Sequence, residues 1–329
     1  MPNARPRLRA AAAALLAAAA AALSPTAPRA QETLQVALGD IASVESLNLL
    51  IAMERAEERG VPMEMTFFNS EDVAVQAVLG GQAHIGVGAP YAFIANSDAP
   101  IRMFFRMSKL LFFPVVNSEV YSEWEDLDGE EVTVHSRGSG TEALMRLMEK
   151  VHGIEYADVS YVPGSEVRAG AMLNGAINAS IVDQANFKRL QEEGDGKFKR
   201  LPLEGVDATD EALYARADLL ESRADDIEIF VEELLRTWAD IAENPAIVGE
   251  LRERHDLLPD LPENATEDAV AYFRDAVEND LYPLDGGAPS VARGDVEFLS
   301  AAGDFPVSPE EVDPQNFWDF GPLEAAKAD

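Results

Sequence analysis

The chain has no cysteine. That excludes disulfide staples, thiolate metal sites and thiol redox chemistry, and it excludes a lipidated cysteine at an export cut site. Basic residues are scarce: twenty arginines and six lysines stand against 59 aspartates and glutamates, giving a formal net charge of −33. So acidic a chain argues against nucleic acid as a partner, because that affinity comes from Lys and Arg neutralising phosphates. The four histidines (His84, His135, His152 and His255) are scattered and form no HExxH pair. Neither a metal nor a cofactor is therefore expected. A uniformly acidic, lysine-poor surface suits either a high-salt habitat, where screening relieves self-repulsion, or plain acidic drift.

Long apolar runs are missing too, with one exception. Arg5, Arg7 and Arg9 precede AAAALLAAAAAAL, a core too short to span a bilayer well, and SPTAPRA supplies a small-residue exit. Residues 1–30 are accordingly expected to be a cleavable export signal, which places the mature chain in the periplasm. The roughly 300 residues that remain suit two lobes with real cores.

From Thr33 onward the pattern alternates. TLQVALGD, PMEMTFF, AHIGVG and PIRMFFRM have strand character, separated by SLNLLIAMERAEERG, SEDVAVQAVLGG and PYAFIAN at helical spacing. Ser70 stands where an N-cap belongs, ahead of Glu71 and Asp72. Such alternation predicts an α/β lobe with a mainly parallel sheet. A second, shorter α/β unit follows. LLFFPVV carries Pro114 and is expected at an edge or crossover. EVTVHS, VSYVPG and INASIVD are strands, with GTEALMRLMEKVHG and SEVRAGAMLNG as helices between them. Beyond FKRLPLEG the chain is expected to be helical, ending in a wrapping tail rich in Pro, Asp and Gly.

The loop HSRGSGT joins a strand to a helix, so its amides and the helix dipole favour an anion or a carbonyl oxygen. Ser136, Ser139 and Thr141 add hydroxyls around Gly140. No Lys-Ser/Thr pair completes a phosphate loop, and G-S-G is not a nucleophile elbow. Ser139 or Thr141 either caps the helix or meets a ligand; the two are compatible. Ser43, Ser46, Ala89, Pro90 and Tyr91 occupy equivalent strand ends, where ligands of open α/β sheets settle, although Tyr91 is equally suited to a core. Asp183 accepts from a ligand or caps the next helix. Arg168 is either a cation for a carboxylate or sulfonate, or an exposed surface residue. A catalytic pair of Ser139 with His135, as in an exported hydrolase, would need an orienting acid that the sequence does not suggest.

In their order, AVLGGQAHIGVGAPYAFIAN, SEWEDLDGEEVTVHSRGSGTEALM, VRAGAMLNGAINASIVDQ and VDPQNFWDFGPLEAA resemble the periplasmic substrate-binding proteins of ABC importers, in the nitrate/sulfonate/taurine and thiamine-precursor group. The resemblance implies a two-lobed periplasmic binding protein fold, type II-like, with two crossovers and a helical C-terminal part. The crossovers would fall near Phe112–Val116 and Arg200–Glu204. Lobe one would be 31–116 with 205–329, and lobe two 117–204. It further implies a non-enzymatic monomer holding a small organic ligand, anionic or heterocyclic, and delivering it to an ABC permease and its ATPase. The ligand-facing positions carried over are Ser43, Ala89, Pro90, Ser136, Ser139, Thr141 and Asp183. The lysine and histidine of nitrate-binding members have no counterpart here, which disfavours nitrate. GSGTE also resembles receptors of TAXI-type TRAP transporters, and a sensory module would use the same cleft.

Overall fold

Strand follows helix along the computed structural model, which describes residues 32–97, 99–203, 206–262, 264–303, 305–306 and 308–328. The expected leader at 1–30 lies outside the described residues. The strands are β1 Leu34–Leu38, β2 Met63–Phe67, β3 Ile85–Gly88, β4 Ile101–Lys109, β5 Phe113–Asn117, β6 Glu131–Val134, β7 Asp158–Tyr161, β8 Ala179–Val182, β9 Phe198–Arg200 and β10 Thr209–Arg216. They form two five-stranded sheets, ordered β2-β1-β3-β10-β4 and β7-β6-β8-β5-β9. Helices pack on both, giving the two-lobed α/β architecture.

The two sheets share one plan. In the first, β1 pairs in parallel with β2 and β3, and β10 then runs antiparallel between β3 and β4. In the second, β6 pairs in parallel with β7 and β8, and β5 runs antiparallel between β8 and β9. The chain passes between sheets twice, from β4 to β5 and from β9 to β10. The first sheet is thus completed by β10, which returns after both crossovers, whereas the second is built wholly from the segment between them.

Two expectations need correcting. TDEALYAR falls in the stretch read as helical, yet it forms β10 at an interior position. Ala212, Leu213, Tyr214 and Ala215 are fully buried there, so burial between two neighbours overrides the poor strand propensity of Asp, Glu and Ala. β5 is also interior to its sheet, despite Pro114. The proline carbonyl accepts from Leu201 N at 2.9 Å, which puts its missing N–H just past the last residue of the three-residue β9. Only a ladder end is forfeited.

Close packing explains two glycines. A Cβ on Gly86 would lie 2.1 Å from Tyr214 Cζ, and one on Gly39 would lie 2.4 Å from Glu71 Cα. The first contact locks β3 to β10. The second presses the loop after β1 onto the start of the helix Glu71–Leu79.

The C-terminal helices behave as their amphipathic pattern predicts. Phe230, Val231, Leu234 and Trp238 of the helix Ala224–Glu243 enter the first lobe's main core. The helix Pro289–Ala302 serves both lobes, with Ala292 and Val296 in one core and Phe298 and Ala302 in another. Its Asp295 accepts from Thr209 N at 2.7 Å, from Thr209 Oγ1 at 2.8 Å and from the Tyr91 hydroxyl. The tail wraps as expected, bonding Met103 on both sides through Phe317 and Asp319.

Replacing Gly86 by alanine should destabilise the fold by about 1–3 kcal/mol through overpacking against Tyr214, measured as a lower urea midpoint. The cost should largely vanish in a Tyr214→Ala background, and an unchanged midpoint for Gly86→Ala alone would contradict the packing.

Candidate functional site

Loops at the carboxyl ends of strands from both sheets face one cleft, which encloses about 1180 Å³ including its open mouth. The first lobe contributes Asp40, Ser43, Glu45 and Ser46 after β1, Glu71 at the start of its helix, Ser108 of β4, and Asp210 and Glu211 of β10. The second lobe contributes His135, Ser139 and Thr141 around β6 and its loop, Ser165 and Arg168 after β7, and Asp183 after β8. Tyr272 and Tyr282 close one side.

The glycine-bearing loop spends its hydroxyls on itself. Ser139 Oγ accepts from Glu142 N at 3.3 Å, donates to Ser136 O at 2.8 Å, and lies 2.9 Å from Thr141 Oγ1. Thr141 Oγ1 accepts in turn from His135 N at 3.2 Å. Ser139 is therefore a helix N-cap facing a cleft, which combines both of its sequence-based readings. The His135 ring turns away from it. Its Nε2 lies 3.2 Å from Gly39 O of the other lobe, and its Nδ1 lies 3.8 Å from the Asp40 carboxylate. The Ser139–His135 pairing of a hydrolase is not formed. Burial, helped by Arg168, pushes His135 down to about 4, so it is neutral at neutral pH.

Arg168 is neither surface-exposed nor free. It is 1 % exposed, and its Nε and Nη1 donate to Ile181 O and Val162 O, both at 2.9 Å. Burial lowers its pKa, against the pull of Asp40, Asp183, Glu45 and Glu166. Asp183 caps the helix Gln184–Glu193 by accepting from Asn186 N at 2.7 Å, and it also meets Glu45 across the gap.

Carboxylates dominate what remains. Burial raises Glu71 to about 8, with Glu211 and Asp40 adding repulsion. It raises Asp40 to about 6 against an opposing hydrogen bond from the Ile41 amide. Glu45 is pushed well up by burial, then by Asp183, Glu166 and Asp40. Asp210 rises through burial and then Glu71 and Asp40, and Glu211 through burial and then Asp210 and Asp40. The Asp40 and Glu71 side chains are still 26 % and 21 % exposed, so the crowding is felt in a wetted cleft.

Of the residues singled out from sequence, Ser43, Ser46, Ser139, Thr141, Arg168 and Asp183 line this cleft. The others stand behind its walls. Tyr91 is buried against Phe305 and Phe317, with Trp318 Nε1 donating to its hydroxyl at 2.7 Å. Pro90 is buried, and the Ala89 amide serves the Glu71 carboxylate. Ser136 Oγ is buried without a partner, and Gly140 packs on Leu110. Sequence reasoning missed Asp40, Glu45, Glu71, Asp210, Glu211, Tyr272 and Tyr282. Asp40 and Glu71 follow strands at the same position as the serines; that placement was the available signal. Among the described residues, no cluster of three or more His, Cys, Asp or Glu side chains is arranged for a metal, and no helix is long and apolar enough to cross a membrane.

A raised carboxyl pKa means that the folded state holds its proton after the unfolded chain has lost it, so stability falls as pH rises between the two values. For Glu71 that window runs from 4.5 to about 8. Glu71→Gln should therefore match the wild-type melting temperature near the lower limit and exceed it increasingly towards the upper one. Parallel melting curves across that range would contradict the crowding.

No curated protein matches the sequence significantly. Among solved structures, a protein from Bordetella bronchiseptica RB50 superposes with a TM-score of 0.72 at 21% identity, over 91% of this chain and 98% of its own. The periplasmic nitrate-binding protein NrtA from Synechocystis PCC 6803 gives 0.66 at 15%, over 90% and 88%. The ligand-binding component of an ABC-type import system from Staphylococcus aureus, with zinc bound, gives 0.64 at 14%, over 90% and 99%. At these identities the likeness is one of fold, that of periplasmic binding proteins. The family model described as NMT1/THI5 like matches residues 50–247, and by that match the chain belongs to the NMT1/THI5-like family.

Proposed function

We propose that this protein is an extracytoplasmic solute receptor that closes two lobes on a small ligand and hands it to an ABC permease driven by its ATPase. The family match and the fold likeness support the receptor class. Export by the N-terminal leader and action as a monomer belong to the same proposal. So do the lobe limits 31–116 with 205–329 and 117–204, adjusted so that Phe113–Asn117 joins the lobe whose strands it pairs with. The solved relatives include an alkanesulfonate-binding protein from Xanthomonas axonopodis pv. citri bound to MOPS, which would suggest an anion.

One observation argues otherwise and replaces the anionic expectation. Arg168, the one Lys or Arg among the described residues that line the cleft, is tied to two backbone carbonyls, while seven carboxyl side chains line it. A cation placed there would stabilise the ionised form of these crowded carboxyls, whereas an anion would find no free cation and would oppose their ionisation. The ligand is therefore a small positively charged or cation-forming molecule. The heterocyclic alternative survives in protonated form, with Tyr272 and Tyr282 available for contact with a ring or a cation.

The receptor reading predicts that some member of a broad library of amines, heterocycles and anions raises the melting temperature at a single site. Saturation to a hundredfold over Kd adds about 2.7 kcal/mol. A library that leaves every melting curve unmoved would overturn it.

A further inference from the structure

We infer that the cleft seats an N–H-bearing cationic group, an ammonium or amidinium, against Glu71, Asp210 and Glu211, and that seating it expels a proton shared by those carboxylates. The inference rests on the receptor reading and specifies how its site selects a ligand.

Three features converge on that corner. Adjacent strand residues ordinarily point to opposite faces, yet Asp210 and Glu211 both line the cleft. The pairing of β10 with β4 shifts register on either side of Glu211, and such an irregularity re-aims side chains. Glu71 reaches the same corner from the start of its helix, and each of the three raises the pKa of at least one other.

The corner lacks a cation of its own. The charged and titratable groups facing it are Asp40 and Asp72 of the first lobe, Tyr214 of β10, Tyr282 on the cleft's side, and His135 and Arg168 from across the gap. His135 is neutral and Arg168 is committed to carbonyls. The second cluster, Glu45 with Asp183 and Glu166, already has Arg168 beside it.

A polar group also waits there. Ser108 is 5 % exposed and lines the cleft, and its Oγ completes no hydrogen bond of regular geometry, although it sits close enough to Asp210 to ease that carboxyl's charge. An incoming N–H would satisfy it. An anion would face the carboxylates directly, and a neutral ligand would leave them crowded. Carboxyls this close hold a proton at neutral pH, as the value of about 8 for Glu71 indicates. A cation's N–H needs the ionised form as acceptor, so the proton leaves as the cation arrives.

The test uses the mature chain with two charge series of matched shape, namely benzamidine, benzamide and benzoate, and butylamine, butanol and butyrate. Melting shifts should appear for a cationic member and not for its neutral or anionic counterparts. Calorimetry in two buffers of different ionisation heat should show proton release. Affinity should rise by up to about tenfold per pH unit between about pH 6 and 8. Glu71→Gln, with its fold checked by circular dichroism, should flatten that slope. If benzoate or butyrate stabilises and the cations do not, the inference falls while the receptor reading stands. Cation binding with no proton release, or no response to any of the six probes, overturns it as well.

Discussion

Like charges forced together in a partly dry gap set the terms for everything else in this molecule. Glu71, Asp210, Glu211, Asp40 and Glu45 share one cleft with a single arginine among the described lining residues, and their partial burial weakens the screening that water gives on the surface. A bound partner can relieve such an arrangement, and carboxyls perturbed in this way cluster at functional sites.

The scaffold makes the crowding possible by placing strand ends from two sheets face to face. The chain crosses between the sheets twice, and β10 returns after the second crossover to complete the first sheet, so two connections tie the sheets together. Asp295, on a helix shared by both lobes, fixes Thr209 at the start of β10 and with it the following two carboxylates. Gly39 lets the Asp40 loop lie flat on the helix that begins with Glu71. Across the gap, the His135 contact with Gly39 O and the approach of Glu45 to Asp183 bring the lobes together. Arg168, anchored to its own lobe, stands beside Glu45, Asp183 and Glu166 and reaches the other cluster only through its pull on Asp210.

Much of the frame was legible in the sequence. The alternation of apolar runs gave β1 to β8, with only the interior place of β5 missed, and the strand-end rule brought Ser43, Ser139, Thr141 and Asp183 to the cleft edge. The site's charge was not legible. Fifty-nine acidic residues made any one of them uninformative, and Glu71 had an adequate explanation as a partner of its helix dipole. Asp210 and Glu211 were hidden for another reason. TDEALYAR has weak strand propensity and becomes a strand only because β3 and β4 flank it, a tertiary effect with no local signal. Arg168 misled in the opposite direction, since nothing in SEVRAGAML reveals that its guanidinium turns inward to Ile181 and Val162.

The central claim is that the cleft is made for a positive charge. Native mass spectrometry of the protein, purified gently with whatever it carries from the cell, tests this most directly. The account predicts a single bound species that is cationic at neutral pH and is lost from a Glu71→Gln, Asp210→Asn double variant. A retained sulfonate, nitrate or carboxylate in the wild-type protein would contradict it.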